Sequence, residues 1–315
     1  MKILVLHSDI AADAPPEEQD TLVAAEAVAA ALRARGHIAT KMAFAPHKGM
    51  IFLHPIDVVF NLVESVDGKG ASATLAQRIL GELGMKFTGT SGEAMDITNN
   101  KPLTKQRLRE AGLMTADWSV GPAWVRLDPG KWIVKSVLED ASIGLDDGCV
   151  VEARDVPARA KACAEKFGGR WFAEKYLEGR EFNIAILGRR GLPRIMPLAE
   201  MRFENWPEGK PRIVGYGAKW EEGSSGWRHT VRHFGLEREE PELAAAIRAA
   251  CETVWGIFDL YGFVRVDFRV VDGVPYILET NANPGIAPDA GFAAAAAEAG
   301  MSYADLIEAI VQAAL

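Results

Sequence analysis

Apolar and polar positions follow two rhythms along this chain, and each change of rhythm marks an element. Lys2 to Leu6 is a continuous apolar run, the pattern of a strand buried on both faces of a parallel sheet. A loop rich in Asp, Pro and Glu follows. Leu22, Ala25, Ala29 and Leu32 then recur at helical spacing, with Asp20 or Thr21 placed to cap the helix and Gly36 to end it. Residues 56–63 (IDVVFNLV) read as another buried strand, 71–84 as a helix and 85–87 as a short strand. This β-α-β-α-β rhythm predicts a small parallel sheet over about the first 95 residues.

The pattern changes at Lys101. A helix (LTKQRLREAG) leads into short strands, notably Lys131 to Lys135, and a second helix is predicted around Val156 to Phe167, together a small α+β lobe. Arg170 to Leu177 reads as a strand running straight into LEGREFNIAIL, so the next lobe begins without a flexible linker. Hairpin strands over 181–199, a polar segment rich in Gly and Trp over 203–228, and a helix over 240–258 follow. Two strands, Gly262 to Val270 and Val274 to Thr280, are joined by Asp272-Gly273, a strong hairpin signal. The chain then closes in Ala-rich helices.

Composition narrows the function. Hydrophobic residues at 49% and charged residues at 25% are those of a globular chain of 315 residues. A net charge of -8 disfavours nonspecific nucleic-acid binding, which needs a basic face. The N-terminal apolar run is too short for a signal segment, and no stretch approaches the roughly 20 apolar residues of a membrane helix, so a cytoplasmic protein with no membrane or nucleic-acid partner is expected. Cys149, Cys163 and Cys251 are odd in number and lack CxxC spacing, which reads as buried free thiols.

The most informative segment is VRVDFRVVDGVPYILETNANPG, residues 264–285. Asp267 lies in one predicted strand, Glu279 and Asn281 at the end of its hairpin partner, and alternation lets all three face one side. Their oxygens suit magnesium, which favours hard ligands and completes its shell with water and phosphate. Lys135 ends the apolar strand of Trp132, Ile133 and Val134, where a charge without a partner would be costly.

This segment resembles the C-terminal signature of the ATP-grasp superfamily, in its D-alanine:D-alanine ligase branch. ITNNKPLTKQRLREAGL (97–113), WIVKSVLEDASIGL (132–145), FAEKYLEGREFNIAIL (172–187) and IVGYGAKW (213–220) are similar to further motifs of that family, in order. The resemblance implies a mixed α/β and α+β fold of three lobes: an N-terminal parallel lobe over 1–96, a central lobe over 97–180 and a C-terminal lobe over 181–315. It implies ATP and two magnesium ions, or manganese in their place, held by Asp267, Glu279 and Asn281. Lys101, Lys135 and Lys219 would reach the phosphates, with Ser142 in a phosphate loop. The backbone of Glu174, Lys175, Tyr176 and Leu177 would meet the adenine edge, and Glu181 the ribose. Arg265 and the Gly285 N–H would stabilise an oxyanion. A homodimer is also implied.

The implied reaction activates a carboxylate as an acyl phosphate and joins it to an amine. Three departures bear on its substrates. Ala141 and Trp220 stand where the family has hydroxyls, and residues 62–70 lack the family's histidine. Ala290, beside Asp289, replaces a serine that holds a substrate carboxylate. An acid there predicts a site that accepts an amine or cation and rejects a carboxylate; Glu64 is a second candidate for an ammonium. Alternatives are a ligase of the same fold with another amino acid or amine acceptor, or an ATP-binding protein without chemistry. A Rossmann dehydrogenase is excluded because residues 7–20 contain no G-x-G-x-x-G.

Overall fold

The first apolar run forms β1 (Lys2–Ser8), in which Ile3, Leu4, Val5 and Leu6 are all buried, as a strand covered on both faces requires. These details come from a computed structural model that describes residues 1–11, 13–14, 16–48, 55–139, 144–146, 148–220 and 223–315, with side chains at all of these but 16, 17, 48, 219 and 220. Helix α1 (Pro16–Ala34) starts earlier than a cap at Asp20 or Thr21 would allow. Thr21 lies inside the helix, where its hydroxyl donates to the Leu62 carbonyl at 3.1 Å. Leu22 is 39% exposed, and the buried stripe runs instead through Ala25, Val28, Ala29 and Leu32. Gly36 ends the helix with φ at 80°.

The parallel sheet has the order β2-β1-β3, where β2 is Ile38–Phe44 and β3 is Val58–Leu62. The apolar pattern does not predict β2, an edge strand whose Thr40 and Lys41 blur the alternation. The strand expected at 85–87 reduces to a bridge between Phe87 and Val59. Helix α2 (Thr74–Glu82) follows as predicted.

Helices α3 (Gly92–Asn99) and α4 (Lys101–Glu110) are capped by the side chains of Ser91 and Asn100. Next come β4 (Trp118–Val120), β5 (Lys131–Ser136), β6 (Val150–Glu152), α5 (Val156–Phe167) and β7 (Trp171–Lys175). The strands form an antiparallel sheet, order β4-β7-β5-β6. Trp132, Val134 and Trp171 pack on α5 through Ala160 and Cys163. Alternation turns Ile133, Lys135, Phe172 and Glu174 to the other face.

The remainder comprises β8 (Arg180–Arg189), β9 (Leu192–Ile195), β10 (Ala199–Phe203), α6 (Tyr216–Trp220), α7 (Ser225–His229), β11 (Thr230–Phe234), α8 (Leu236–Glu239) and α9 (Pro241–Ile257). It ends with β12 (Gly262–Val271), β13 (Val274–Asn281), α10 (Gly291–Glu298) and α11 (Tyr303–Ala313). Its sheet has the order β11-β10-β8-β12-β13, with β9 beside β8. Asp272 and Gly273, with φ of 49° and 76°, make the hairpin turn that their dipeptide predicts. One face of the sheet carries Phe182, Ile184, Val264, Val266 and Phe268 against α9.

Two cores cross the divisions expected at 96/97 and 180/181. Ile3, Val5, Val28, Ala29 and Phe60 share one with Ala185, Phe263, Phe292, Leu306 and Ile310. Ala94 and Leu108, from α3 and α4, belong to the core of the last sheet.

Candidate active site

The free end of the last sheet's second face is polar. Pairing places Arg265 opposite Asn281 and Asp267 opposite Glu279, while β8 sets Asn183 beside Asp267 and Glu181 beside Arg269. Directly opposed residues share a face, so these side chains project together. A bulge between Asp267 and Phe268 lets two residues of β13 oppose one of β12. Ile277 therefore turns into the α9 core, while Leu278 and Glu279 both border the cavity above.

That cavity holds about 710 Å³, enough for a nucleotide and small substrates. Arg265 forks onto Asp267, Nε to Oδ1 at 2.7 Å and Nη2 to Oδ2 at 2.8 Å. The Asn281 amide donates to Asp267 at 3.2 Å and to Glu279 at 3.3 Å. Two carboxylates thus converge on one amide. With that amide turned to present its oxygen, the set matches what a hard divalent cation takes. Gly285 borders the same space, and a Cβ there would meet nothing within 4 Å, so its backbone faces open cavity.

Lys135 enters from the opposite wall. Its ammonium sits 2.6 Å from Glu174, which is only 1% exposed. Glu174 also pairs with Lys105, a fully buried residue that the sequence motifs did not single out. Burial opposes ionisation of Glu174, but Lys105 and Lys135 outweigh it and hold its pKa below the ordinary value. Burial likewise opposes the charge on Lys135, and Glu174 and Glu279 nevertheless raise its pKa. Lys101 is buried and donates to the Glu139 carbonyl at 2.9 Å. Glu181 accepts from Arg269 at 2.7 Å.

Two backbone donors of residues 174–177 are used within the fold. The Lys175 N–H donates to the Asp117 carbonyl at 2.8 Å and the Tyr176 N–H to the Lys131 carbonyl at 3.0 Å, so those two donors are taken by the residue before β4 and by β5. The Lys175 ammonium turns away to the Pro129 carbonyl, and the Tyr176 hydroxyl accepts from the Arg212 N–H. Leu177 is half-buried beyond the strand end. Ser142 and Ala141 lie outside the described residues. Lys219 belongs to helix α6 rather than to a loop, and its side chain and that of Trp220 are likewise outside the description.

The N-terminal sheet supplies the last wall, at the carboxyl ends of its strands. Ser8 accepts from the Glu64 and Ser65 N–H groups, both at 3.1 Å, and Glu64 borders the cavity. Asp289 and Asp20 border it too, and burial together with the charge of Asp289 raises the Asp20 pKa. Arg232, on β11, changes the charge of this wall. Its half-buried guanidinium makes no hydrogen bond or ion pair among the described residues, and burial lowers its pKa against the opposing pull of Asp289. Asp289 is therefore faced by a cation, and its negative charge does not act alone. The sequence hid Arg232 because the TVRHF run has no clear alternation.

Residues 131–312 match the family model described as the D-ala D-ala ligase C-terminus. The chain belongs to the D-alanine–D-alanine ligase family. It is 31% identical to the D-alanine–D-alanine ligase of Chromohalobacter salexigens over 92% of this chain and 88% of that one. With the enzyme of the same name from Moorella thermoacetica it shares 29% identity over 100% of this chain and 99% of that one. The fold matches the crystal structure of D-alanine–D-alanine ligase from Bacillus anthracis complexed with ATP, with a TM-score of 0.75 and 19% identity, covering 100% of this chain and 97% of that one. The architecture is thus the ATP-grasp fold expected, and the protein is a carbon–nitrogen ligase of this family. No helix among the described residues is long and apolar enough to cross a membrane.

Proposed function

We propose that this ligase couples ATP cleavage to joining the carboxylate of one amino acid to the amine of a second, with magnesium on Asp267, Glu279 and Asn281. The observation that carries this reading is the facing of two charged walls across one cavity: the oxygen ligands on β12 and β13, and Lys135 on β5. Phosphates lying between them would meet Lys135 and Lys101 on one side. Magnesium bound on the other would offset phosphate charge and orient the transferring group. The base would lie toward Ile133, Ile213 and Leu278, which give the cavity its apolar end, with hinge contacts from the carbonyls of 174–177 and from Leu177.

The substrate carboxylate oxygen attacks the γ-phosphorus, its bond to the β-bridging oxygen breaks, and ADP leaves. The second substrate's ammonium loses a proton to solvent, and the free amine attacks the acyl carbon. The acyl C–O bond to the phosphate then breaks with loss of the second N–H proton, and inorganic phosphate departs. Arg265 and the Gly285 N–H, both at the cavity wall, would stabilise the oxyanion between these events. Glu64, at the cavity wall, would hold an ammonium group. Asp289 and Arg232 would receive an amino acid's ammonium and carboxylate respectively, a reading that favours a zwitterionic second substrate over a simple amine. Lys219 and Ser142 are proposed on motif similarity alone.

D-alanine is the first substrate to test, and replacement of the family's hydroxyls by Ala141 and Trp220 favours a second reading with another amino acid pair. A coupled ADP-release screen of amino acids and small acids, singly and in pairs, separates them. Turnover should require magnesium, a carboxylate and an amine together. ADP release that ignores every added acid would overturn the ligase reading.

A further inference from the structure

The charge facing the phosphate end of the cavity does not come from Lys135 alone. Lys135, Glu174 and Lys105 form a buried row of alternating sign that spans β5, β7 and α4. Glu174 uses one carboxylate oxygen for each lysine, Oε1 toward Lys135 and Oε2 toward Lys105. The side chains of Glu174 and Lys105 are each 1% exposed, so neither charge is solvated: burial lowers the Lys105 pKa, Glu174 opposes that fall, and each charge depends on the other. Lys105 is fixed at its far side as well. Its ammonium donates to the Thr115 hydroxyl at 2.8 Å, and that hydroxyl donates at 2.7 Å to the carbonyl of Ile277, next to the bulge that presents Leu278 and Glu279.

We propose that Lys105 is a positioning residue for ATP: by sharing Glu174 it leaves the row with a net charge of one positive unit, held at Lys135 against the nucleotide phosphates. Without Lys105, Glu174 would neutralise Lys135 fully and draw its ammonium toward β7. The row would then offer no net charge to the cavity. This rests on the assignment of Lys135 to the phosphates, and two substitutions separate the two ideas. Lys105→Met removes one positive charge. Lys105→Met combined with Glu174→Gln removes one charge of each sign and restores the net single unit, with the Glu174 backbone untouched.

The measurement is calorimetric binding of ATP in excess magnesium chloride, which needs no amino acid substrate. Lys105→Met should weaken ATP binding about tenfold or more, and the double variant should recover to within about threefold of the parent. A merely structural Lys105 predicts the opposite order, with the double variant no better than the single one, and that result overturns the proposal. So does a folded Lys105→Met protein that binds ATP within about twofold of the parent. Should Lys105→Met fail to fold, the double variant decides alone: near-parental affinity supports the role, and a tenfold loss refutes it. Unaltered ATP binding by Lys135→Ala would instead strike the phosphate assignment itself.

Discussion

At the scale of the residue, the site is a set of charges whose partners decide what each can do. Asp267 is 5% exposed and bonded by both Arg265 and Asn281, so its carboxylate is held in place before any cation arrives. Asp267→Asn should therefore lower magnesium-dependent ADP release by about 100-fold or more while the melting temperature stays within a few degrees, as measured by coupled assay and calorimetry. Asp267, Glu279, Asn281 and Lys135 were legible because each interrupts or ends an apolar strand, which is an anomaly that sequence alone displays. Lys105 and Arg232 were not. Lys105 sits among Gln106, Arg107 and Arg109 on a helix of ordinary polar composition, and only the packing of α4 against the last sheet reveals that this one is buried. Arg232 lacked any signal until β11 was seen to border the cavity.

At the scale of the element, strong periodicity declares an element in the sequence and weak periodicity does not. Helix α5 and the β12–β13 hairpin appear where the pattern places them, because Pro157 and the Asp272-Gly273 turn fix their starts and bends. Edge strands β2 and β11 escaped, since a strand covered on one side has fewer apolar positions to declare it. The bulge escaped as well: Ile277 and Glu279 are two apart and would share a face in a regular strand, yet they point to opposite sides. Helix α11 illustrates local control. Ser302 and Asp305 form a reciprocal capping box at its start, and the helix supplies Leu306, Ile307 and Ile310 to the shared core. Ser302→Ala should cost about 1 kcal/mol of unfolding free energy by urea titration and leave ATP affinity unchanged.

At the scale of the whole molecule, the cavity exists only where the three sheets meet, and specific bonds hold them there. Glu139 accepts from the Gly70 N–H at 2.9 Å, and a Cβ at Gly70 would approach the same carboxylate oxygen to 2.8 Å. Asn283 donates to the Val63 carbonyl at 3.2 Å. The order of motifs made three sheets foreseeable, but their joints depend on contacts far apart in sequence that no local pattern encodes. The first of the shared cores limits how such a chain can be divided or recombined. The parallel sheet and α1 rest Ile3, Val5 and Val28 on side chains contributed more than 150 residues later by β8, β12 and the last two helices. Residues 1–96 expressed alone should give no cooperative thermal transition, whereas co-expression with residues 97–315 should restore one, as followed by circular dichroism. The N-terminal segment is thus no interchangeable cassette: grafting it onto a relative would succeed only with the matching surfaces of α10 and α11.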